Sequence, residues 1–156
     1  MKNIKTLRYQ VSIDKRASEV YDIMLGITSK TTYEDWTKLF SPTSSYIGDW
    51  SEGSKMLFVS KDENGDLAGM VSRIDRVIPN SFVSIVHYGM LKSGNEITDG
   101  PEVDSWSGVK ENYLFEENEG KTTVSIELDS APEHEEYMNK LYPKALQKLR
   151  EICELS

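Results

Sequence analysis

The stretch EHEEYMNKLYPKALQKLREICEL, residues 133–155, is the longest amphipathic segment of the chain and decides its fold. Its apolar residues recur every three or four positions, which places them on one side of an α-helix. At about 1.5 Å per residue such a helix is roughly 30 Å long, enough to cross a small sheet. The predicted apolar side consists of Met138, Leu141, Tyr142, Ala145, Leu149 and Ile152.

One residue interrupts this pattern. Pro143 lacks the N–H that would bond the carbonyl of Asn139, and its ring bends a helix. The sequence therefore predicts either one kinked helix or a short helix followed by a second that begins near Pro143. In both cases the rest of the chain must supply the surface that the helix covers.

The start of the chain predicts one strand and a first short helix. Apolar and polar residues alternate from Leu7 to Ile13, as in a half-buried strand. Asp14 or Ser18 can cap the helix that follows, which ends or bends near Gly26. The apolar side of this helix is expected to be Val20, Ile23, Met24 and Ile27.

The middle of the chain predicts a second short helix and then an antiparallel meander. The helix is expected from Ser29 to Phe40, and short apolar runs then alternate with turn signals. Asn64-Gly65 indicates a hairpin, whereas Lys92 to Asp104 is expected to be an exposed loop. The predicted strands are residues 46–47, 56–59, 69–78, 82–91, 106–115 and 122–128.

This order predicts the α+β class: a strand, two short helices, five or six strands and a long helix. An antiparallel sheet with one polar side must bury the other, and only the last helix is long enough to cover it. A lipocalin-type barrel ranks second, because it would lack the early helix pair and the closing helix. We expect one domain over residues 1–156, with a gap between sheet and helix where a function would lie.

The composition excludes several classes of function. A net charge of -8 without a Lys/Arg cluster argues against nucleic-acid binding. No apolar run is long enough for a membrane span, and no signal peptide is recognisable. The single cysteine, Cys153, cannot form an internal disulfide, so a cytoplasmic location is expected.

Motifs of catalysis and cofactor binding are not found. The sequence contains neither a nucleophile elbow nor a glycine-rich phosphate loop. The acidic runs at residues 62–66 and 96–104 lack the spacing of calcium loops. We therefore expect no metal and no cofactor.

Two ionisable residues are predicted to face the apolar gap. Glu111 shares a strand face with Tyr113, and His87 shares one with Ile85. Buried ionisable groups need partners, and they often mark functional sites. The first interpretation is that Glu111 fixes the packing through a backbone N–H or a tyrosine. Ligand contact comes second, and catalysis third.

Four motifs resemble those of a known family. Residues 48–58, GDWSEGSKMLF, and 69–74, GMVSRI, resemble its hairpin and the strand that follows. Residues 106–115, WSGVKENYLF, and 142–149, YPKALQKL, resemble a later strand and its last helix, with Tyr142 at the usual tryptophan position. The family is the SRPBCC (START-like) superfamily. Within it, the resemblance is to the bacterial group similar to activators of the heat shock protein 90 ATPase (Aha-type C-terminal domain).

The resemblance implies a helix-grip fold, also called START-like or birch-pollen-allergen-like. This fold has one strand, two short helices, six strands and a long helix above a hydrophobic cavity. Lipid carriers, aromatic polyketide cyclases and chaperone partners all belong to the superfamily, so the fold alone does not choose among them.

We therefore expect a cytoplasmic binding module for a small hydrophobic or aromatic molecule held between sheet and helix, as a monomer or homodimer. The alternatives are a chaperone-partner interaction protein and a polyketide-cyclase-like enzyme that uses Glu111 or His87 as acid or base; we lean against an enzyme. Trp36 is the best candidate for a cavity wall, because it closes the helix pair against the sheet. The expected ligand-binding residues are Trp36, Phe58, Met70, His87, Glu111, Tyr113, Leu141 and Tyr142.

Overall fold

The computed structural model describes residues 3–156, which form one strand, two short helices, seven further strands and a long helix. The elements are β1 (Lys5–Ile13), α1 (Ala17–Leu25), α2 (Lys30–Thr37), β2 (Ser45–Gly48), β3 (Lys55–Lys61), β4 (Leu67–Ile78), β5 (Phe82–Lys92), β6 (Asn95–Ile97), β7 (Val109–Asn118), β8 (Lys121–Ser130) and α3 (Pro132–Leu155).

All strands belong to one antiparallel sheet in the order β1-β8-β7-β5-β4-β3-β2, with β6 paired to the end of β5. The curved sheet, the helix pair and the long C-terminal helix confirm the predicted α+β helix-grip architecture. The number of strands after the helices is seven rather than six. The additional strand is β6, which lies inside the segment predicted to be an exposed loop.

Helix α3 packs against β1 and against both short helices. It continues through Pro143 without interruption, so the alternative of two separate helices is wrong. The predicted apolar side is slightly misplaced at Leu141, which is half-buried and not part of the core, whereas Met138 and Ile152 pack against the core. Apolar residues occupy two neighbouring stripes of this helix, and helical spacing alone cannot choose between them. The buried residues are Tyr142, Ala145, Leu146, Leu149 and Cys153.

The ends of α1 differ from the prediction. Neither Asp14 nor Ser18 caps the helix, which begins at Ala17. The backbone N–H of Ala17 donates instead to Glu117 Oε1 on β7, at 2.8 Å, so a residue far along the chain satisfies this helix end. Gly26 terminates the helix in the left-handed conformation with φ 69°. Ile27 therefore lies beyond the helix and is 54% exposed, not part of its apolar side.

Aromatic donors satisfy the last carbonyls of α1. Trp36 Nε1 donates to the carbonyl of Met24 at 2.8 Å. The Tyr46 hydroxyl and Trp50 Nε1 each donate to the carbonyl of Leu25, both at 2.9 Å. Large apolar rings with one polar atom can fill the core and bond these carbonyls at the same time. The corner between α1 and α2 is thereby attached to β2 and to the start of the β2–β3 hairpin.

Two further boundaries differ from the prediction. Helix α2 ends at Thr37, so Phe40 follows the helix. Strand β7 begins at Val109, so Trp106 precedes the strand. Residues 98–108 connect β6 to β7 through consecutive turns, in which the side chain of Val103 is fully buried. Before β7 the burial of Val103 is a tertiary contact, which local propensity does not predict.

Gly69 of β4 pairs with Val59, and the backbone of β3 lies close to its Cα. Its φ is +140°, and a Cβ at this position would lie 1.9 Å from the carbonyl oxygen of Phe58. Real side chains do not approach a backbone oxygen so closely. The position therefore requires glycine for its conformation and for space.

We predict that Gly69→Ala lowers the free energy of unfolding by more than about 3 kcal/mol, because backbone strain and a backbone clash add. The matched control is Gly65→Ala in the preceding hairpin. It has φ +80° but no heavy atom within 4 Å of the added Cβ, so only backbone strain remains. Gly65→Ala should cost about 1–2 kcal/mol. Urea denaturation measures both, and equal costs would contradict the close approach at Gly69.

Candidate functional site

A cavity of about 640 Å³ lies between the sheet and α3. Its walls are mostly apolar and aromatic. The exposed lining residues Glu102, Glu133, His134 and Tyr137 belong to the 98–108 turns and to the start of α3, which places the mouth there. The buried lining residues include Tyr33, Trp36, His87, Tyr113, Leu128 and Tyr142. An apolar cavity with a few polar groups is the usual form of a small-molecule site.

A β-bulge next to His87 brings Met90 to the same cavity. Ser72 of β4 pairs with His87, but the preceding Val71 pairs with Gly89, so Tyr88 is left without a partner. Successive residues of a strand alternate between its faces, and one extra residue reverses the alternation. His87 and Met90 can therefore both line the cavity, although they are three positions apart.

The turns before β7 hold the bulge in place. The N–H of Gly108 donates to the carbonyl of His87 at 2.9 Å. The hydroxyl of Ser107 donates to the carbonyl of Tyr88 at 3.0 Å. A bulge disrupts the regular ladder, and these two bonds satisfy carbonyl groups at that point.

A line of hydrogen bonds crosses the floor of the cavity. Ser72 Oγ lies 2.6 Å from His87 Nδ1, and His87 Nε2 lies 3.0 Å from Glu111 Oε1. The hydroxyl of Tyr142, from α3, donates to Glu111 Oε2. His87 and Glu111 are diagonal neighbours on β5 and β7, a separation that long side chains can bridge. The carboxylate thus joins the sheet to the closing helix.

One protonation arrangement satisfies all these groups. The Ser72 hydroxyl donates to Nδ1 of a neutral imidazole, and the Nε2–H of His87 donates to Glu111. The negative charge of Glu111 then receives two donors, from His87 and Tyr142. Buried carboxylates are stable when they are paired in this way. The packing interpretation of Glu111, in which a tyrosine bonds it, agrees with this geometry.

Tyr142 is held on both sides by rings. It stacks on Tyr9 with centroids 5.0 Å apart, and the ring of Phe40 meets it edge-on at 5.1 Å. The Tyr9 hydroxyl donates to Asn139 Oδ1 of α3 at 2.7 Å. Burial, and then the nearby charge of Glu111, raise the pKa of Tyr142 and of Tyr113 well above the ordinary value.

Seven of the eight residues predicted from the sequence line the cavity. Leu141 is the exception: it is half-buried on α3 and lies outside the lining. Trp36 lines the wall, but its indole N–H is bonded to α1. Sequence reasoning missed Ser72, although period two places it on the face of Met70 and Ile74. It also missed several further lining residues, namely Phe40, Met90, Leu128, Trp106, Tyr137 and Met138.

Ser72, His87 and Glu111 have the residue types of a hydrolytic triad, but the geometry does not support that role. Ser72 is fully buried, is not part of the cavity lining, and so offers no hydroxyl to a substrate. Its hydroxyl orients His87 instead. Within residues 3–156 there is also no group of three His, Cys, Asp or Glu side chains that could hold a metal ion.

Neither the protein-family models nor the curated proteins contain a match to this chain. Many solved structures do match. An uncharacterised protein of Rhizobium leguminosarum has a TM-score of 0.68 at 14% identity and covers 100% of this chain and 98% of its own. The Aha1 dimer of Colwellia psychrerythraea has a TM-score of 0.65 at 18% identity, with 96% of each chain covered.

DynU16, from the dynemicin biosynthetic locus, gives a TM-score of 0.64 at 14% identity. It covers 96% of this chain and 47% of its own. At these identities the likeness establishes the fold alone, which is the helix-grip (START-like) fold. No helix within residues 3–156 is both long and apolar enough to cross a bilayer.

We predict that the free energy of unfolding falls as the pH rises above 10. Unfolded tyrosines lose their protons near pH 10, whereas the buried phenols of Tyr113 and Tyr142 keep theirs to higher pH. The unfolded state then binds fewer protons, and each such group lowers stability by up to about 1.4 kcal/mol per pH unit. Urea denaturation between about pH 9 and pH 11 measures the slope.

Tyr142→Phe should make this slope shallower, because one buried phenol is removed. Tyr137→Phe is the control, since Tyr137 lies on the same helix but is 51% exposed. Identical slopes for Tyr142→Phe and the unchanged protein would contradict the burial of that phenol.

Proposed function

We propose that this chain is a binding protein for a small hydrophobic or aromatic molecule with one polar group. The observation that carries the proposal is the cavity of about 640 Å³ beneath α3, whose apolar walls end at a floor of hydrogen-bonded polar side chains. Apolar walls supply affinity, and a few fixed polar groups orient the ligand. A cytoplasmic location and a monomeric or homodimeric state remain predictions.

The walls suit a ligand with an aromatic or branched apolar body. Phe40, Phe58, Met70 and Met90 line the cavity and are only partly buried by the protein itself. Side chains in a hydrophobic core are close-packed. Apolar surface that stays accessible inside a cavity is therefore available to a ligand. Methionine side chains also adapt to ligands of different shape.

The proposed site can be tested with a neutral fluorescent probe, N-phenylnaphthylamine. We expect saturable binding with one probe per chain. Met138→Trp should weaken binding by about tenfold or more, because the indole fills the space of the guest. Met138 lines the cavity from α3. Fluorescence titration measures the affinity of each variant.

The control for this experiment is Leu155→Trp. Leu155 lies on the same helix but is 88% exposed and lies outside the lining. This variant should bind the probe like the unchanged protein. Binding that does not saturate, or that is equal in all three proteins, would refute the proposed site.

A chaperone-partner role is the second candidate, and the likeness to the Aha1 dimer of Colwellia psychrerythraea favours it. This role needs an exposed surface rather than the cavity. It requires that the purified chain alters the ATPase rate of a bacterial heat shock protein 90. A rate that does not change at saturating chain concentration would remove this candidate.

A polyketide-cyclase-like enzyme is the third candidate. His87 and Glu111 face the cavity and are bonded to each other, so they could move a proton to or from a bound substrate. An enzyme would lose turnover in Glu111→Gln and still bind its substrate. A binding protein has no turnover to lose.

A further inference from the structure

We propose that the molecule bound in this cavity carries a protonated amine, which Glu111 receives on the cavity floor among aromatic rings. The inference rests on the proposed function, because it specifies the ligand class of the same site. Three properties of the described lining carry it: its charge, the free acceptor positions of Glu111, and the rings around them.

The charge of the lining has one sign. Four carboxylate residues line the cavity, whereas no lysine or arginine does so among the described residues. A fatty-acid carboxylate or a phosphate would enter without a lysine or arginine to receive it and would face Glu111. Like charges in a partly dry site repel, and a charge without a partner is expensive to bury. The four carboxylates belong to Glu102, Glu111, Asp129 and Glu133.

Glu111, on the floor of the cavity, has different partners from Glu102 and Asp129. Glu102 forms an ion pair with Lys92 at 3.0 Å. Asp129 accepts from the Thr6 hydroxyl at 2.9 Å and from the backbone N–H of Lys110 at 3.0 Å. Glu111 is held by an imidazole and a phenol, and its side chain is only 16% exposed. Its charge is therefore the one that a ligand meets at the end of the cavity.

Glu111 keeps capacity for a ligand. A carboxylate offers about four lone-pair positions, and His87 and Tyr142 use one on each oxygen. Because Glu111 lines the cavity, the remaining positions are open to a donor from inside it. An ammonium group supplies three donors, and hydrogen bonds between two charged groups are the strongest of their kind.

The rings near this carboxylate favour the same ligand. Tyr33, Phe40 and Phe58 line the cavity together with Glu111. The face of an aromatic ring attracts a cation, and protein sites for organic ammonium ions use such rings. The rings also bury the apolar body of an arylalkyl amine. One lining thus suits both parts of such a molecule.

The N-terminus of α3 is a feature of the lining that could attract an anion instead. Pro132, the first residue of the helix, has no N–H, and the N–H of His134 is bonded to the carbonyl of Ala131 at 3.0 Å. Glu133 in the first turn lies at the cavity and offsets the helix dipole. This helix end therefore does not favour the binding of an anion at the mouth of the cavity.

Three probes that share one skeleton test the inference: naphthylmethylamine, naphthalenemethanol and naphthoic acid. Near neutral pH the first is a cation, the second is neutral and the third is an anion. Isothermal titration calorimetry should show the amine binding about tenfold or more tighter than the alcohol, with the acid weakest. An acid that binds as tightly as the amine, or an alcohol equal to the amine, would overturn the inference but leave the proposed function intact.

The variant Glu111→Gln assigns the preference to this residue. It removes the charge and keeps the shape, so the amine should fall to the affinity of the alcohol, while the alcohol changes little. The control is Glu116→Gln, which makes the same charge change at an exposed position of β7 outside the lining. Equal amine affinity in both variants would remove the role of Glu111.

The ranking of the three probes by the unchanged protein decides the ligand class even if Glu111→Gln fails to fold. If none of the three probes binds saturably, the inference and the proposed function fail together. Circular dichroism of each variant establishes whether the fold is retained.

Discussion

The hydrogen bond from Tyr142 to Glu111 joins the closing helix to the middle of the sheet, and the site depends on it. A buried carboxylate is stable only with donors around it. Here one donor comes from β5 and the other from α3, while Ser72 of β4 holds the β5 imidazole. Burial of the apolar side of α3 holds the helix on the protein, but hydrophobic burial is not directional. The polar contact fixes where along the sheet the helix rests, and so how much space remains beside it.

The bulge at Tyr88 gives the second constraint. In a regular strand the residues that face inward are two positions apart, and His87 would share its face with Gly89. The extra residue turns Met90 inward instead, next to Met70 on β4. The floor is thus polar at one end and lined by flexible thioethers at the other. That division into a polar end and an apolar end is what an amphipathic guest requires.

The order of the elements and the facing of His87 and Glu111 could be predicted from sequence because both depend on local periodicity. Period two holds unbroken from Val83 to His87 and from Val109 to Phe115, so the inward positions follow from counting. The same counting reaches Ser72. It fails at the Tyr88 bulge, because composition does not reveal the extra residue. Counting therefore assigns Met90 to the wrong face of the strand.

Other features were beyond the sequence because distant residues determine them. The cap of α1 comes from Glu117, one hundred positions further along the chain. Leu141 and Leu146 lie on adjacent stripes of one helix, and only the shape of the sheet decides which is buried. Val103 is the only buried residue between Lys92 and Asp104, and the rest of that segment is mostly polar, so composition indicated an exposed loop.

The bonds that hold the 98–108 turns have a mechanical consequence. The N–H of Gly108 is bonded to the backbone of His87, and the side chain of the same histidine is bonded to Glu111. The mouth of the cavity lies at these turns and at the start of α3, whereas aromatic donors hold the opposite corner, between α1 and α2. His87 therefore connects the turns at the mouth of the cavity to the carboxylate on its floor. Any displacement of these turns would break the bond from Gly108 to His87, and through the imidazole it would change the support of the Glu111 carboxylate.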